Sequence, residues 1–428
     1  MQRRARRYSL LEFPFQILFL NAVQGTALVA LALWLGADAV EISILSSFPF
    51  LGNVVAVFGP YALERLGTKR RLTMGAFGLS ATMYGLLPVI AALGDAFPES
   101  RPILRIALVP AVAVGEMARA MANVSYLAWI ADVFEPSVRA RFFSARFSVM
   151  ASANVLAGLA IGVYLNMWGL GSRIDPIAFY TLIPVAMLAM AVAISFMSRI
   201  PGGDTADLPT ATMGVRGHLA PFRDPLYKGF LAARSLQAVA FQLLGPFTTV
   251  FLIVDLALPY SIVFMLQVIY QVMAVLGYRV WEPMTARVGA RKMFIMSAAV
   301  FSVFPFIFPW SGVLGLWLLV PLHLLFGFWE GGFMLAVQLL TMNLAPEKRQ
   351  VAYIGTANSV TGLLWGVSSI VGGLLVAPLS RIPLVGALSP VGSGLPALML
   401  LCAALRVAII PSLLWIKDIP VRGAPEKD

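Results

Sequence analysis

Residues 64–71 read ERLGTKRR, and residues 286–292 read ARVGARK. Each stretch is a short basic turn around a glycine, and each interrupts a long apolar run. Gly67 and Gly289 lie 222 residues apart, close to half of the 428-residue chain. A second pair of loops repeats the pattern. ADVFEPSVRARFF (131–143) and MNLAPEKRQVAYI (342–354) each place a proline three residues before an arginine, Pro136 with Arg139 and Pro346 with Arg349. One short match arises by chance. Two matches, in the same order and in equivalent loops, point to a duplicated unit.

The runs between these turns set the class. The chain is 60% hydrophobic and 12% charged, whereas a soluble domain is roughly half apolar and a quarter charged. Water-soluble domains of this length could not hide so much apolar surface, and lipid is the solvent that resolves it. A bilayer core of about 30 Å needs roughly 20 apolar residues in a helix. On that length the sequence offers twelve spans, at about 10–35, 41–63, 72–93, 103–133, 143–166 and 177–198, then 228–254, 260–281, 293–311, 314–341, 353–377 and 396–416. The runs are continuous rather than short and alternating, which excludes a barrel of strands. The longest polar stretch is RIPGGDTADLPTATMGVRGHLAPFRDPLYK (199–228), whose Gly, Pro and Thr mark a linker. The expected fold is an all-α integral membrane protein of twelve transmembrane helices in two pseudo-symmetric six-helix bundles. The expected parts are a bundle over 1–200, a cytoplasmic linker over 201–226 and a bundle over 227–428.

Charge sets the orientation. Lys and Arg crowd the even-numbered loops, in ERLGTKRR, RARFFSAR, the central segment, ARVGARK and PEKR, and the N-terminus carries Arg3, Arg4, Arg6 and Arg7. The odd-numbered loops hold chiefly Arg101, Arg105, Arg173 and Arg381. Positive residues stay inside, so a multi-pass protein of the inner (cytoplasmic) membrane with both termini cytoplasmic is expected. The first apolar run exceeds the roughly 7–15 residues of a signal-peptide core and is interrupted by Asn21 and Gln24, so it reads as a retained span. The net charge of +11 is scattered in short clusters, which report topology rather than nucleic-acid binding. The single Cys402 excludes an internal disulfide, and with only His218 and His323 beside it no metal, haem or iron–sulfur site is expected. No phosphate-binding G-x-x-x-x-G-K-[ST] loop is present, and no metal cluster or Ser/His arrangement suggests an enzyme. No cofactor is expected.

Against this background GEMARAMANVSY (115–126) is anomalous, because it places Glu116 and Arg119 in the middle of span four. A charge at mid-bilayer costs about 2.5–3.5 kcal/mol on insertion scales, so such residues face a cavity or a partner. Their i, i+3 spacing puts them on one helix face, where they can pair. Span ten carries GFWEGGF (327–333), with Glu330 flanked by Gly327 and Gly331. Glu116 precedes Pro136 by 20 residues and Glu330 precedes Pro346 by 16, so the two acids sit one helical turn apart in equivalent positions. A carboxylic acid removed from water holds its proton to higher pH, so it can take up and release one near neutral pH, the physical requirement of proton coupling. Arg119 neutralises Glu116, whereas Glu330 has no cation near it in sequence and is the expected proton carrier. Arg119 is also suited to an anionic substrate group. The competing reading of the pair is a self-neutralising contact that glues span four to a neighbour.

Other polar residues are candidates to line the same cavity: Asn21 and Gln24 in span one, Asn123 in span four, Gln237 and Gln242 in span seven, Gln267 and Gln271 in span eight, and Asn358 and Thr361 in span eleven. For any one of them, helix–helix hydrogen bonding worth about 0.6–2 kcal/mol is the competing reading. His323 is expected to pack rather than relay protons, and Arg406 to snorkel or pair. Gly158/Gly162, Gly327/Gly331 and Gly362/Gly366 are spaced to let helices approach closely.

Twelve spans, a central polar loop and a basic loop between spans two and three resemble the major facilitator superfamily. Its signature in that loop reads roughly Gly-x-x-x-Asp-Arg-x-Gly-Arg-Arg, and here the text is GPYALERLGTKRR (59–71). Arg65, Gly67, Lys69 and Arg70 fit. Glu64 replaces the Asp, and Pro60 holds the place of the first Gly, which is displaced to Gly59. The second copy has Arg287, Gly289, Arg291 and Lys292, with Ala286 where the acid belongs. The seventh span also looks like bacterial members. The resemblance implies two bundles rocking about a midplane site. It makes the loop a cytoplasmic latch, with Glu64 offered to Arg139 or to the N-terminus of span eleven and Gly67 permitting the tight turn. Arg119 matches a recurrent span-four Arg, while Asn123 stands where Gly is common. Span five, FSVMASANVLAGLAIGVYL, lacks the Gly-Pro pair of antiporters, so antiport is not supported. The expected function is a monomeric secondary active transporter that moves a small-molecule substrate by alternating access, coupled to protons. The alternatives are a proton-independent facilitator and a non-transporting membrane receptor or scaffold.

Overall fold

The structure, a computed structural model, describes residues 1–37, 39–168, 175–204, 220–258, 260–382 and 393–416, and no strand occurs among them. Residues 205–219 of the expected linker, with His218, and Arg173 lie outside the described residues. Eleven helices among the described residues are long and apolar enough to cross a membrane: Gln2–Trp34, Ile44–Leu66, Lys69–Ala96, Pro136–Met167, Ile177–Met197, Tyr227–Ile253, Ile262–Thr285, Ala290–Leu314, Leu316–Asn343, Glu347–Leu379 and Leu395–Trp415. The fourth expected span is a further 33-residue helix, Arg101–Val133, which carries Glu116 and Arg119. Together these are the twelve spans of the sequence reading.

The duplicated basic turns share one device. Gly67 ends span two with φ 79°, and Gly289 stands before span nine with φ 84°. Both are in the left-handed region where a side chain is costly, so the glycine is the element the repeat preserves. Thr68 then caps span three, its hydroxyl accepting from the Arg71 backbone N–H at 3.2 Å.

Two spans are irregular at mid-length. Span one runs as Gln2–Val23 and Gly25–Trp34, broken at Gln24, whose backbone is extended (φ −121°, ψ −174°). Span two passes through a 3₁₀ stretch, Gly52–Phe58, between two α-helical pieces. Such stretches are weakly bonded and mark hinges. Inside a membrane, irregular backbone is tolerated only where protein buries it or a cavity meets it.

The chain divides into two compact units. The first comprises Met1–Phe134, Ser152–Gly217 and Glu347–Ser359. In it, the first turns of span eleven press on span two. A Cβ at Gly355 would lie 2.3 Å from the Ala56 carbonyl oxygen and one at Gly59 2.9 Å from Val351, while Ser359 donates to the Asn53 carbonyl at 2.9 Å. Gly158 and Gly162 do not serve the close approach expected of them. The nearest atom to a Cβ at Gly158 is Asn21 Oδ1 at 3.8 Å, and a Cβ at Gly162 would meet open space.

The second unit comprises Glu135–Ala151, His218–Pro346 and Val360–Asp428. Its core is aromatic, with Phe304 edge-on to Phe326 at 4.7 Å and Phe241 stacked on Phe333 at 5.5 Å. Spans eight and ten are in backbone contact. A Cβ at Gly277 would lie 2.2 Å from the Phe328 carbonyl oxygen, and one at Gly327 2.3 Å from that of Tyr270. The opening turns of span five join this unit, Ser144 donating to the Tyr278 carbonyl at 2.6 Å. Gly277→Ala is therefore expected to force the two helices apart at a cost of about 1–3 kcal/mol. A lowered thermal midpoint in detergent checks this, with Gly78→Ala, where a Cβ meets open space, as the neutral control.

Candidate functional site

In the first unit the irregular backbone and the buried charge coincide. Glu116 is 0% exposed. Its Oε2 accepts from Arg119, two N–H groups of one guanidinium at 2.8 and 2.5 Å. Its Oε1 accepts from the Gln24 carboxamide and from the Tyr84 hydroxyl. Four donors from spans one, three and four thus converge on one carboxylate. The break in span one carries Gln24 at its centre. The 3₁₀ stretch of span two begins at Gly52, where a Cβ would sit 3.0 Å from the Glu116 backbone carbonyl carbon. The arrangement also has a direction, because Glu116 is sealed while the Arg119 side chain keeps 15% of its surface exposed.

The expected pairing of Glu116 with Arg119 and the expected nearness of Gln24 are thus found in one cluster. Asn123, one turn beyond Arg119, is half-buried. Asn21 donates to Asn154 Oδ1 of span five at 3.0 Å and to its own helix at Ile17, which makes it a helix–helix hydrogen bond rather than part of the Glu116 cluster. Asn358 is half-buried in the segment of span eleven that joins this unit. Sequence reasoning passed over Tyr84 and Asn154. It also missed Glu12, which is fully buried near the start of span one and accepts from the Tyr126 hydroxyl at 3.1 Å, with Ser9 at 2.5 Å from that hydroxyl. The signal for Glu12 was available: it stands i, i+4 with Gln16 in the apolar stretch 10–20.

In the second unit Glu330 is half-buried on span ten and shares a side-chain hydrogen bond with Tyr270 of span eight. The flanking glycines clamp it to that helix, with Gly327 against the Tyr270 carbonyl oxygen and Gly331 2.5 Å from the Tyr278 nitrogen for an added Cβ. Glu330 makes no ion pair among the described residues. Gln267 is exposed and Gln271 half-buried, while Gln237 is buried with its Oε1 lacking a hydrogen-bond partner. His323 packs, its Nδ1 2.7 Å from the Leu319 carbonyl oxygen. Arg406 does not snorkel. It is 7% exposed, donates to the carbonyls of Ala240 and Phe301 at 3.2 and 2.9 Å, and lies 4.0 Å over the Phe241 ring. Backbone oxygens and a ring face replace water around this enclosed guanidinium. Arg234 of span seven, also unremarked in the sequence, donates to Thr341 at 3.0 Å.

The basic loop holds together differently from the expectation. Glu64 is exposed and makes no ion pair among the described residues, and Arg65 stacks on Tyr61 at 4.6 Å. The partnered acid is Asp132 at the end of span four, 2.8 Å from the buried Lys69. Arg139 donates to Asn343 at 2.6 Å. Arg70 reaches the start of the linker, its backbone N–H to the Gly203 carbonyl at 3.0 Å and its guanidinium to the Ser198 carbonyl. Gly203 has φ 79°, and a Cβ there would lie 2.6 Å from the Trp129 ring. Gly203→Ala is expected to cost about 1–3 kcal/mol and detach the linker start from Trp129. Faster limited proteolysis between residues 199 and 228 than in wild type is the measurement.

A family model described as Major Facilitator Superfamily matches residues 15–372. No curated protein matches. Among solved structures, a bacterial homologue of the iron transporter ferroportin in an outward-facing state is similar with a TM-score of 0.65 and 16% identity, over 97% of this chain and 98% of that one. The human organic anion transporter MFSD10 (TETRAN) is similar with a TM-score of 0.71 and 13% identity, over 96% and 99%. At such identities the likeness is one of fold. With the family model covering most of the chain, the protein is a multi-pass membrane transporter and not an enzyme, and it belongs to the major facilitator superfamily.

Proposed function

We propose that this chain is a monomeric, proton-coupled secondary transporter that moves a small organic solute by alternating access. In this reading it lies in the cytoplasmic membrane with both termini inside. The covalent halves, 1–200 and 227–428, joined through 201–226, are the rocking bodies. The observation that carries the reading is the unequal treatment of the two equivalent acids of spans four and ten. Glu116 is tied by four donors, while Glu330 meets a tyrosine and no cation among the described residues. Glu116 then acts as a fixed anchor that aims Arg119. Glu330 is the group free to gain and lose a proton.

The remaining assignments follow from geometry. Arg119 is the exposed edge of its pair, so it is the group that a substrate carboxylate or dipole meets. The broken span one and the 3₁₀ stretch of span two supply irregular backbone beside that edge, as transporter sites at the midplane do. Glu330 sits where spans eight and ten have no slack, so a change in its charge is felt by both helices. Asn123, Gln237, Gln267, Gln271 and Asn358 remain candidates for the cavity wall. Glu64, Arg65, Gly67, Arg70 and Arg139 remain the latch in this reading, with Arg70 and Arg139 as its bonded members. The ferroportin homologue, at 16% identity, is a likeness of fold, and its iron is said of that protein alone. The organic anion of MFSD10 agrees with a partly exposed guanidinium.

Tracer counterflow in proteoliposomes tests the transport reading, using a panel of organic anions, amphipathic cations, sugars and amino acids. Saturable exchange of one class is the expected result, with organic anions the leading class. No exchange with any class, from folded protein, would favour a receptor or scaffold.

A further inference from the structure

A groove in the second unit is lined by none of Glu116, Arg119 and Glu330. It has a volume of about 720 Å³ and opens beside the first turns of span seven, where Phe222, Lys228, Leu231, Ser235, Val360 and Trp415 line it. Lys228, Leu231 and Ser235 are spaced i, i+3 and i+7, so they form one stripe of the helix. Seven residues of helix rise about 10 Å, which is the length of the stripe. Its lining is mostly apolar, and its two polar stripe residues stand at the ends of the stripe, Lys228 at the start of span seven and Ser235 two turns further in. The floor is fixed by Gly229, where a Cβ would lie 2.2 Å from the Trp415 carbonyl oxygen.

The mouth carries the marks of a membrane interface. Trp415 is 56% and Phe222 47% exposed, and exposed aromatic residues at the end of a span sit at headgroup level. Lys228 of the lining is exposed, and so is Arg223, next in sequence to the lining residue Phe222, while Arg291 donates to the Leu414 carbonyl at 3.3 Å, next in sequence to Trp415. The one acid in this stretch, Asp224, is engaged in capping span seven, accepting from the backbone N–H of Leu226 and Tyr227 at 2.9 and 3.4 Å. A positive mouth over a narrow apolar channel matches one chemistry, a phosphate attached to a hydrocarbon chain.

We propose that this groove holds one anionic phospholipid, its acyl chain along the Lys228–Ser235 stripe and its phosphate between Lys228 and Arg223. The leaflet it comes from rests on the positive-inside orientation of the proposed function; the site itself rests only on residence in a membrane. A free anion would use the mouth and leave the apolar channel empty.

Native mass spectrometry of the full chain in detergent, titrated with phosphatidylglycerol or phosphatidylcholine, tests this without any transport assay. Wild type is expected to retain one phosphatidylglycerol about tenfold more tightly than phosphatidylcholine. The double variant Arg223→Glu/Lys228→Glu is expected to lose at least that tenfold preference. Ser235→Phe, which fills the inner end and leaves every charge in place, is expected to lose the bound lipid as well. If Ser235→Phe fails to fold, Ala232→Leu narrows the same channel. An unchanged preference in the charge-reversed variant would overturn the proposal. So would full retention in the channel-filling variant, or displacement of the lipid by millimolar inorganic phosphate, which would reduce the groove to a surface anion site.

Discussion

Glu330→Gln is expected to leave solute exchange near the wild-type rate and to lower proton-driven accumulation at least tenfold. Glutamine has the shape of the protonated acid and can still bond to Tyr270, the partner that Glu330 has on span eight. It adds no volume between Gly327 and Gly331, where the backbones of spans eight and ten already touch. Exchange needs the bundles to rock with solute bound and needs no proton to leave. Net movement against a gradient requires the site to alternate between charged and neutral forms, and an amide cannot. Counterflow and accumulation measured on the same proteoliposomes separate the two. Equal loss of both would make Glu330 a packing residue of the seam, and accumulation at the wild-type level would place the proton elsewhere.

Arg119→Ala is expected to destabilise the protein by about 3 kcal/mol, at the low end of the cost of breaking a buried ion pair because Arg119 is itself partly exposed. It leaves the sealed Glu116 carboxylate with the Gln24 and Tyr84 donors alone. Removing both charges together is far less costly, so Glu116→Gln/Arg119→Met is expected to regain most of the thermal midpoint. Its counterflow is expected to stay absent, because the group presented to the substrate has gone. Recovery of transport along with stability would show that the pair only glues helices.

Eleven of the twelve spans were legible because each is long and apolar enough to cross a bilayer, a signal that is local and additive. The repeat was legible because a left-handed turn demands glycine, and both Gly67 and Gly289 occupy one. Glu116 with Arg119 was legible because i, i+3 spacing places them together whatever else the chain does. Contacts across long separations were not. Tyr84 reads as an ordinary core aromatic until span three is laid against span four, and Asn21 finds Asn154 only when spans one and five meet. The interruption at Gln24 stands beside Gly25, a weak helix former, but a single glycine in a membrane span does not by itself announce a break. In the basic loop, position in a motif pointed to Glu64, whereas the fold gives Lys69 the carboxylate of Asp132, 63 residues away. Arg406 escaped because backbone carbonyls and a ring face satisfy it, partners that no sequence pattern announces.

The central claim is that solute and proton move together through this chain. The most direct measurement is the internal pH of proteoliposomes, followed with a trapped dye while the solute that shows counterflow is added outside. The account predicts a solute-dependent pH change that saturates with the solute and vanishes in Glu330→Gln. Tracer uptake with no change in pH, in wild type and variant alike, would contradict it and leave a facilitator.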